Sequence, residues 1–428
     1  MPRKLALVAI AAVATIAAVP QPRAIPCDAD NAGLTLPAGF CATRFADSLQ
    51  APRHMVVAPN GDLLIVGNPS GGGRSGTPLK PGSIFMLRDA NGDGKAEMVM
   101  KIAQASGSGI ALANGYLYSS TGRSIVRYAY QTDSMSLGQA DTIVTELPTG
   151  GHAANNFVVI GTTLYLNIGS LSNNCQPPGV RGPAVPGADP CVELETRAGI
   201  WTFDANKLGQ KPADGVRFAT GIRNGLGMAV DSRDRSLWVV MHGRDALQAP
   251  PIGQWTHTNE YGAENPGEQV NHVMQGDDFG WPYCYWAMDE KMLVTAPEYG
   301  GDGKKTDRCT TKKAPVYAFP GHWAPMDILL YTGSQYPAEY RNGAFVAFHG
   351  SWNRAPLPQQ GYRVAFLPIA GERASAHRDF ATSFSENGGA GSDGRIHRPA
   401  GLVQGADGSI FVSDDVAGTI YKISYRGR

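Results

Sequence analysis

The sequence predicts an all-β chain folded as a six-bladed β-propeller, with long loop insertions on its active-site face. Three observations predict it. A two-strand hairpin signature recurs six times along the 428 residues. The composition is turn-rich, with 53 Gly and 30 Pro and only 17% charged residues. No stretch sustains the 3.6-residue apolar period expected of the helices in an α/β fold.

The copies of the hairpin signature lie at 55–66 (MVVAPNGDLLIV), 109–118 (GIALANGYLY) and 157–166 (FVVIGTTLYL). The fourth joins 227–231 (GMAVD) to 236–240 (SLWVV), a looser fifth spans 326–348, and the last is 401–413 (GLVQGADGSIFVS). In each, apolar residues lead into a Gly, Asn or Asp turn and out into an alternating strand. Asn-Gly and Asp-Gly supply the positive φ angles that tight hairpins need. Copies spaced by roughly 50 to 100 residues point to radial repetition with insertions. Radial repetition also removes the exposed edges that so large a flat sheet would carry. A β-sandwich, or two stacked β-domains, is the rival architecture. Length alone would favour about two or three domains, but a repetitive all-β fold runs long as one unit. The expected organisation is an export signal over 1–26 and one catalytic propeller over 27–428.

The export signal rests on Arg3 and Lys4, followed by an apolar stretch over 5–19 and then Pro20 and Pro22. That stretch is short for a membrane span, so a periplasmic or secreted protein is expected, with no stable membrane insertion. Six cysteines suit an oxidising compartment. Pairing by nearness in sequence gives Cys27–Cys41, Cys175–Cys191 and Cys284–Cys309, one of 15 possible connectivities. No CxxC or HxxxH spacing supports a zinc site. With 37 basic and 37 acidic residues the formal charge is zero, unlike the basic balance of a nucleic-acid binder.

Candidate chemistry gathers where hairpin copies begin or end. His152 sits on a Gly-Gly turn (149–155, TGGHAAN) just before the third copy. An imidazole held there suits a general base, whose pKa lies near neutrality, although the position also suits a hydrogen-bonded structural His. Arg223 and Asn224 lie in 220–227 (TGIRNGLG), before the fourth copy. An Arg at such a mouth clamps an anion or polarises a carbonyl, or bridges two blades. The segment 260–289 concentrates carboxylates, amides and turn carbonyls, the hard oxygen ligands that calcium takes in sets of 6–8. His349 and Arg354 close the fifth copy (349–354, HGSWNR), and Arg398 opens the sixth. Several Arg on one face suit a polyanionic ligand. The loop 89–94 (DANGDG) resembles the start of an EF-hand, but its twelfth position is Met100, where a bidentate Glu is required. A plain hairpin turn and a peripheral calcium loop both remain open there.

These motifs together resemble the soluble quinoprotein sugar dehydrogenases of the glucose/sorbosone dehydrogenase family, and most closely its sorbosone-dehydrogenase-like branch. The matching segments are 34–41, 150–152, 221–225, 278–284, 349–354, 398–402 and 412–418. They run in order through nearly all of the chain after 26. The resemblance implies a propeller that binds pyrroloquinoline quinone at the mouth of its channel. It makes His152 the catalytic base, Arg223 the group that polarises the reactive quinone carbonyl, and Asn224 its neighbour on the cofactor. It places His349, Arg354 and Arg398 on the cofactor as well. It assigns the carbonyls of Gly262 and Ala263 to the cofactor's calcium. Glu268, or Gln269 after a one-residue shift, joins the Phe279 carbonyl and Asp289 around a second, structural calcium. The implied substrate is an aldose or sorbosone-like sugar, with electrons passing to a cytochrome or quinone. A calcium-dependent propeller hydrolase of the lactonase type and a non-catalytic glycan-binding or partner-binding propeller are the rival classes. The first would need carboxylates facing a metal in the central channel, where this sequence places Arg and His.

Overall fold

The computed structural model describes residues 27–68, 82–132, 135–248, 257–385, 388–391 and 393–427. The expected export signal, 1–26, lies outside the described residues. Six sheets of at least four antiparallel strands form the blades. Each recurring hairpin supplies the two inner strands of one blade. The innermost strands are Pro52–Val57, Ile110–Ala113, Phe157–Ile160, Gly225–Val230, Pro325–Leu330 and Pro399–Gln404. They neighbour one another in that order around a ring, and the last returns to the first. Their side chains line a central channel of about 330 Å³.

The ring closes by mixing the two ends of the described chain in one blade. Phe40–Ala46 pairs antiparallel with Thr419–Tyr425 as the outer strand of the sixth blade. The second strand of a blade packs between neighbouring strands on both faces, and in blades one, four and five it reads as a continuous apolar run rather than an alternation. Leu63–Gly67 and Leu237–Met241 are buried at every residue. Between the blades the core is continuous, for example Phe345, Phe366, Phe380 and Tyr421 of the last two blades with Phe40.

The longest insertions leave the third and fourth blades. One occupies 169–198, between the second and third strands of blade three, and another occupies 242–267, at the same place in blade four. A third, 274–316, carries a separate two-stranded hairpin, Cys284–Ala287 with Met292–Thr295. It climbs past blade three, where Trp281 N–H donates to Gly221 O at 3.3 Å. There the Trp281 indole donates to Asn173 O at 3.0 Å. Insertions from two blades thus meet over the mouth where the innermost strands begin. Among the described residues no helix is long and apolar enough to cross a membrane.

Disulfides staple these long excursions. The three pairs are Cys27–Cys41, Cys175–Cys191 and Cys284–Cys309, those expected from sequence nearness. Closing a loop of the size of Cys175–Cys191, with a sequence separation of 16, is worth about 3 kcal/mol in the chain-entropy model. Replacing both Cys175 and Cys191 by Ser should lower stability by about that amount, read from urea unfolding. An unchanged unfolding midpoint would show that the insertion is held by its other contacts alone.

Candidate active site

A cleft of about 360 Å³ opens between the insertions of blades three and four. His152, Arg223, Asp245 and Asn173 line it, together with Leu171, Pro177, Pro178 and Val180. The two residues singled out most strongly in the sequence, His152 and Arg223, therefore meet in one cavity. His152 arrives on the turn before Phe157–Ile160, and Arg223 on the turn before Gly225–Val230.

Close backbone approach fixes the His152 turn. Gly151 has φ 59°, and a Cβ there would lie 2.4 Å from the Leu171 and Ser170 carbonyl oxygens. A Cβ on Gly169 would lie 2.3 Å from His152 O. The turn therefore sits directly against 169–171, and only glycine allows it. His152 N–H donates to Ser170 O at 2.8 Å. Burial, and then the nearby Arg223 charge, push the His152 pKa down to about 2. At neutral pH the imidazole is uncharged and able to accept a proton, although its pKa lies well below the neutral range expected of a general base from the sequence.

Arg223 is buried and held as a fork. Its Nε donates to Asn173 O at 3.1 Å and its Nη1 to Gly243 O at 2.7 Å. Its Nη2 donates to Asn173 Oδ1 at 2.9 Å and to Asp245 Oδ2 at 3.1 Å. Burial raises the Asp245 pKa, but Arg223 together with His322, His152 and Arg181 holds the carboxyl below its usual range. Glu268 anchors this turn from beneath, accepting Gly243 N–H at 2.9 Å, and burial pushes its own pKa up to about 7. Asn224 is buried, and its carbonyl accepts His242 N–H at 3.0 Å.

A second polar group lies where blades five, six and one meet. His349 Nε2 is 2.7 Å from Asp415 Oδ1, and Arg53 Nη1 is 2.5 Å from Asp415 Oδ2. Arg398 Nε donates to His349 O at 2.6 Å, and its Nη2 donates to Gly350 O. His242 lies between the two groups: its charge is sensitive to Arg223, Asp245 and His349 alike.

The residues expected to hold metal have other partners. Gly262 O accepts His322 Nε2 at 2.8 Å, and Ala263 O accepts Arg354 Nη1 at 2.7 Å. Arg354 is fully buried and also donates to Gly321 O and Glu264. Its guanidinium serves this insertion rather than an open cofactor surface. A calcium ion on the same carbonyls would sit against that positive charge, so the pair does not fit the cofactor's calcium. Phe279 is buried among Ile222, Met228 and Val273. Asp289 is exposed in a hairpin turn beside Tyr261. No hydrogen bond or ion pair among the described residues links Glu268, Phe279 and Asp289. Gln269 is buried in the same strand as Glu268. In the 89–94 turn, Glu97 joins Asp89 and Asp93, with ligand atoms within 4.8 Å of one another.

Residues that the sequence reading did not single out line or support the cleft: Asn173, Glu193 and Asp245 line it, and Ser170 holds His152 from behind. One signal was available. His242-Gly-Arg-Asp245 closes the second strand of blade four as His349-Gly closes that of blade five.

The model of the TrAA12-like family matches residues 34–426. The chain belongs to the TrAA12-like family. It is 27% identical over 438 residues to a pyrroloquinoline quinone-dependent pyranose dehydrogenase of Coprinopsis cinerea. That alignment covers 90% of this chain and 54% of the relative, so the chain spans about half of that protein's length. Among solved structures, the holo form of the PQQ domain of the Coprinopsis cinerea pyranose dehydrogenase superposes with a TM-score of 0.72 at 23% identity. It covers 91% of this chain and 97% of that one. A calcium structure of the Trichoderma reesei family AA12 enzyme gives 0.74 at 19% identity, covering 92% and 97%. At these identities the superpositions show the shared fold.

Buried neutral histidines make stability depend on acid. The pKa of His242 is pushed down to about 4 by burial, and that of His152 to about 2. Below the unfolded value of about 6.5 the unfolded chain binds protons that the folded chain does not. Each such histidine therefore withdraws about 1.4 kcal/mol of stability per pH unit as pH drops from about 6.5 toward 4, while Glu268, raised to about 7, works in the opposite sense. Urea unfolding of wild type and His242→Gln at pH 7 and pH 5 should show a smaller acid loss in the variant, and equal losses would contradict it.

Proposed function

We propose that this chain is a quinoprotein sugar dehydrogenase that oxidises an aldose or sorbosone-like sugar. The observation that carries the proposal is the pairing of an uncharged His152 with the buried Arg223 fork in one cleft. Similarity to the pyrroloquinoline quinone-dependent pyranose dehydrogenase of Coprinopsis cinerea supports pyrroloquinoline quinone as the cofactor.

The cleft suits a flat, anionic guest. Leu171, Pro177, Pro178 and Val180 give it an apolar wall, while Arg223 supplies a fixed positive charge. When bound, the quinone supplies the acceptor for the substrate hydride. The protein's part is to bind, orient and move a proton. His152 takes the proton of the sugar hydroxyl, and Arg223 stabilises negative charge that develops on the cofactor side. Arg398 and His349 are the cationic and polar groups available to cofactor carboxylates at the neighbouring blades.

Calcium enters the proposal with the quinone, as the family resemblance implies. The Asp245, Asn173 and Gly243 oxygens at the cleft are held by the Arg223 guanidinium, so they are not its ligands in this reading. The second, structural calcium at Glu268, Phe279 and Asp289 is not part of the proposal, because no contact among the described residues brings those groups together. The six disulfide-bonded cysteines support a secreted or periplasmic setting, in which a small cytochrome or a quinone takes the electrons onward.

Calorimetric titration of the chain with pyrroloquinoline quinone tests this reading, once with calcium and once with a chelator. Saturable binding that weakens in the chelator is expected. No binding under either condition would overturn the proposal.

A further inference from the structure

Among the described residues no carboxylate hydrogen-bonds the His152 ring. Its Nδ1 lies 3.1 Å from the Ser170 carbonyl and 2.9 Å from Ser170 Oγ. A carbonyl oxygen only accepts. The Ser170 hydroxyl gives its single hydrogen to Ser172 O at 2.7 Å, so toward the imidazole it also only accepts. Both partners of Nδ1 therefore require a donor. A neutral ring has one N–H, which these partners place on Nδ1, and the lone pair stays on Nε2 at the cleft.

That arrangement depends on the turn at 170–172, and one side chain pins the turn. Glu193 Oε2 accepts Leu171 N–H at 2.7 Å and Ser172 N–H at 3.2 Å. Its Oε1 accepts the Ser172 hydroxyl. Glu193 follows Cys191, whose disulfide to Cys175 ties the two ends of this insertion together. If Ser172 O moved away, the Ser170 hydroxyl would be free to donate to Nδ1. The ring proton would then move to Nε2 and block the lone pair that faces the cleft.

We propose that Glu193 is a positioning residue that, through Ser172 and Ser170, keeps Nδ1 of His152 a donor and leaves Nε2 as the atom that takes the substrate proton. The inference rests on the reading of His152 as the base. Glu193 itself lines the cleft, so its effect must be separated from direct contact with a ligand.

¹⁵N NMR of histidine-labelled, intact chain without quinone makes that separation, with His152 assigned by comparison with His152→Gln. Wild type should show a protonated Nδ1 and an unprotonated Nε2. Glu193→Gln keeps the size of the side chain but has only one accepting oxygen for three donors. Its His152 should exchange between both tautomers, and Ser172→Ala should show a smaller change in the same direction. In the quinone-loaded protein, Glu193→Gln should lower kcat about 10- to 100-fold with KM changed less than about twofold. A wild-type His152 protonated at Nε2, or a Glu193→Gln spectrum identical to wild type, would overturn the proposal. If the spectra behave as expected but no variant, wild type included, oxidises sugar, the positioning stands and the proposed function falls.

Discussion

His152→Ala lowers the rate at which sugar reduces bound quinone by about 10²–10⁴, the usual loss on removing a general base. Quinone affinity changes little, because the anionic guest is held by Arg223 and its neighbours and not by an uncharged ring. The fold survives as well, since His152 sits on a turn and its partners belong to the backbone and a serine. Stopped-flow reduction of the loaded variant checks the rate, and titration checks the affinity. Reduction at the wild-type rate would remove His152 from the chemistry and make His349 the next candidate.

Arg223→Ala acts on stability and binding together. It leaves Asn173, Gly243 and Asp245 without the donor they share. Breaking a buried ion pair costs about 3–5 kcal/mol. The lower end applies here, because the Asp245 side chain is 24% exposed. Quinone affinity falls too, by about 10- to 100-fold for one lost charge-assisted contact. Arg223→Lys keeps the charge but loses the fork, so it should lie between wild type and Ala in both measurements. Thermal unfolding and quinone titration of the three proteins give the order. An Arg223→Ala protein that binds quinone as tightly as wild type would place the anion elsewhere.

The propeller was legible because each blade announces its inner hairpin. Asn114-Gly115, for example, forces the turn between Ile110–Ala113 and Tyr116–Ser120. Outer strands such as Asp141–Val144 and Arg378–Ala381 are short and partly exposed, so their pattern does not stand out from loop sequence. Of the site, His152 and Arg223 were legible as polar residues at strand mouths. Asp245, Ser170 and Glu193 were not, because Asp245 acts through Asn173 on another insertion, Glu193 acts only when its own insertion folds back on itself, and Ser170 acts on the separate turn of His152. The insertion that begins at 242 also carries the expected metal carbonyls. It carries the short helix Asn259–Glu264, whose Gly262 and Ala263 carbonyls bind His322 and Arg354. Arg354 shows the limit of reading charge from sequence: an arginine in a polar motif is fully buried and paired with main-chain oxygens.

In the proposed reaction a sugar hydride reaches a quinone held in the His152–Arg223 cleft. An anaerobic single turnover shows whether it does. The chain is loaded with pyrroloquinoline quinone and calcium and then mixed with an aldose carrying either hydrogen or deuterium at C1. The absorbance of the oxidised quinone should decay to that of the reduced form, and more slowly with deuterium. A loaded protein whose quinone spectrum stays unchanged across a panel of aldoses and sorbosone-like sugars would contradict it.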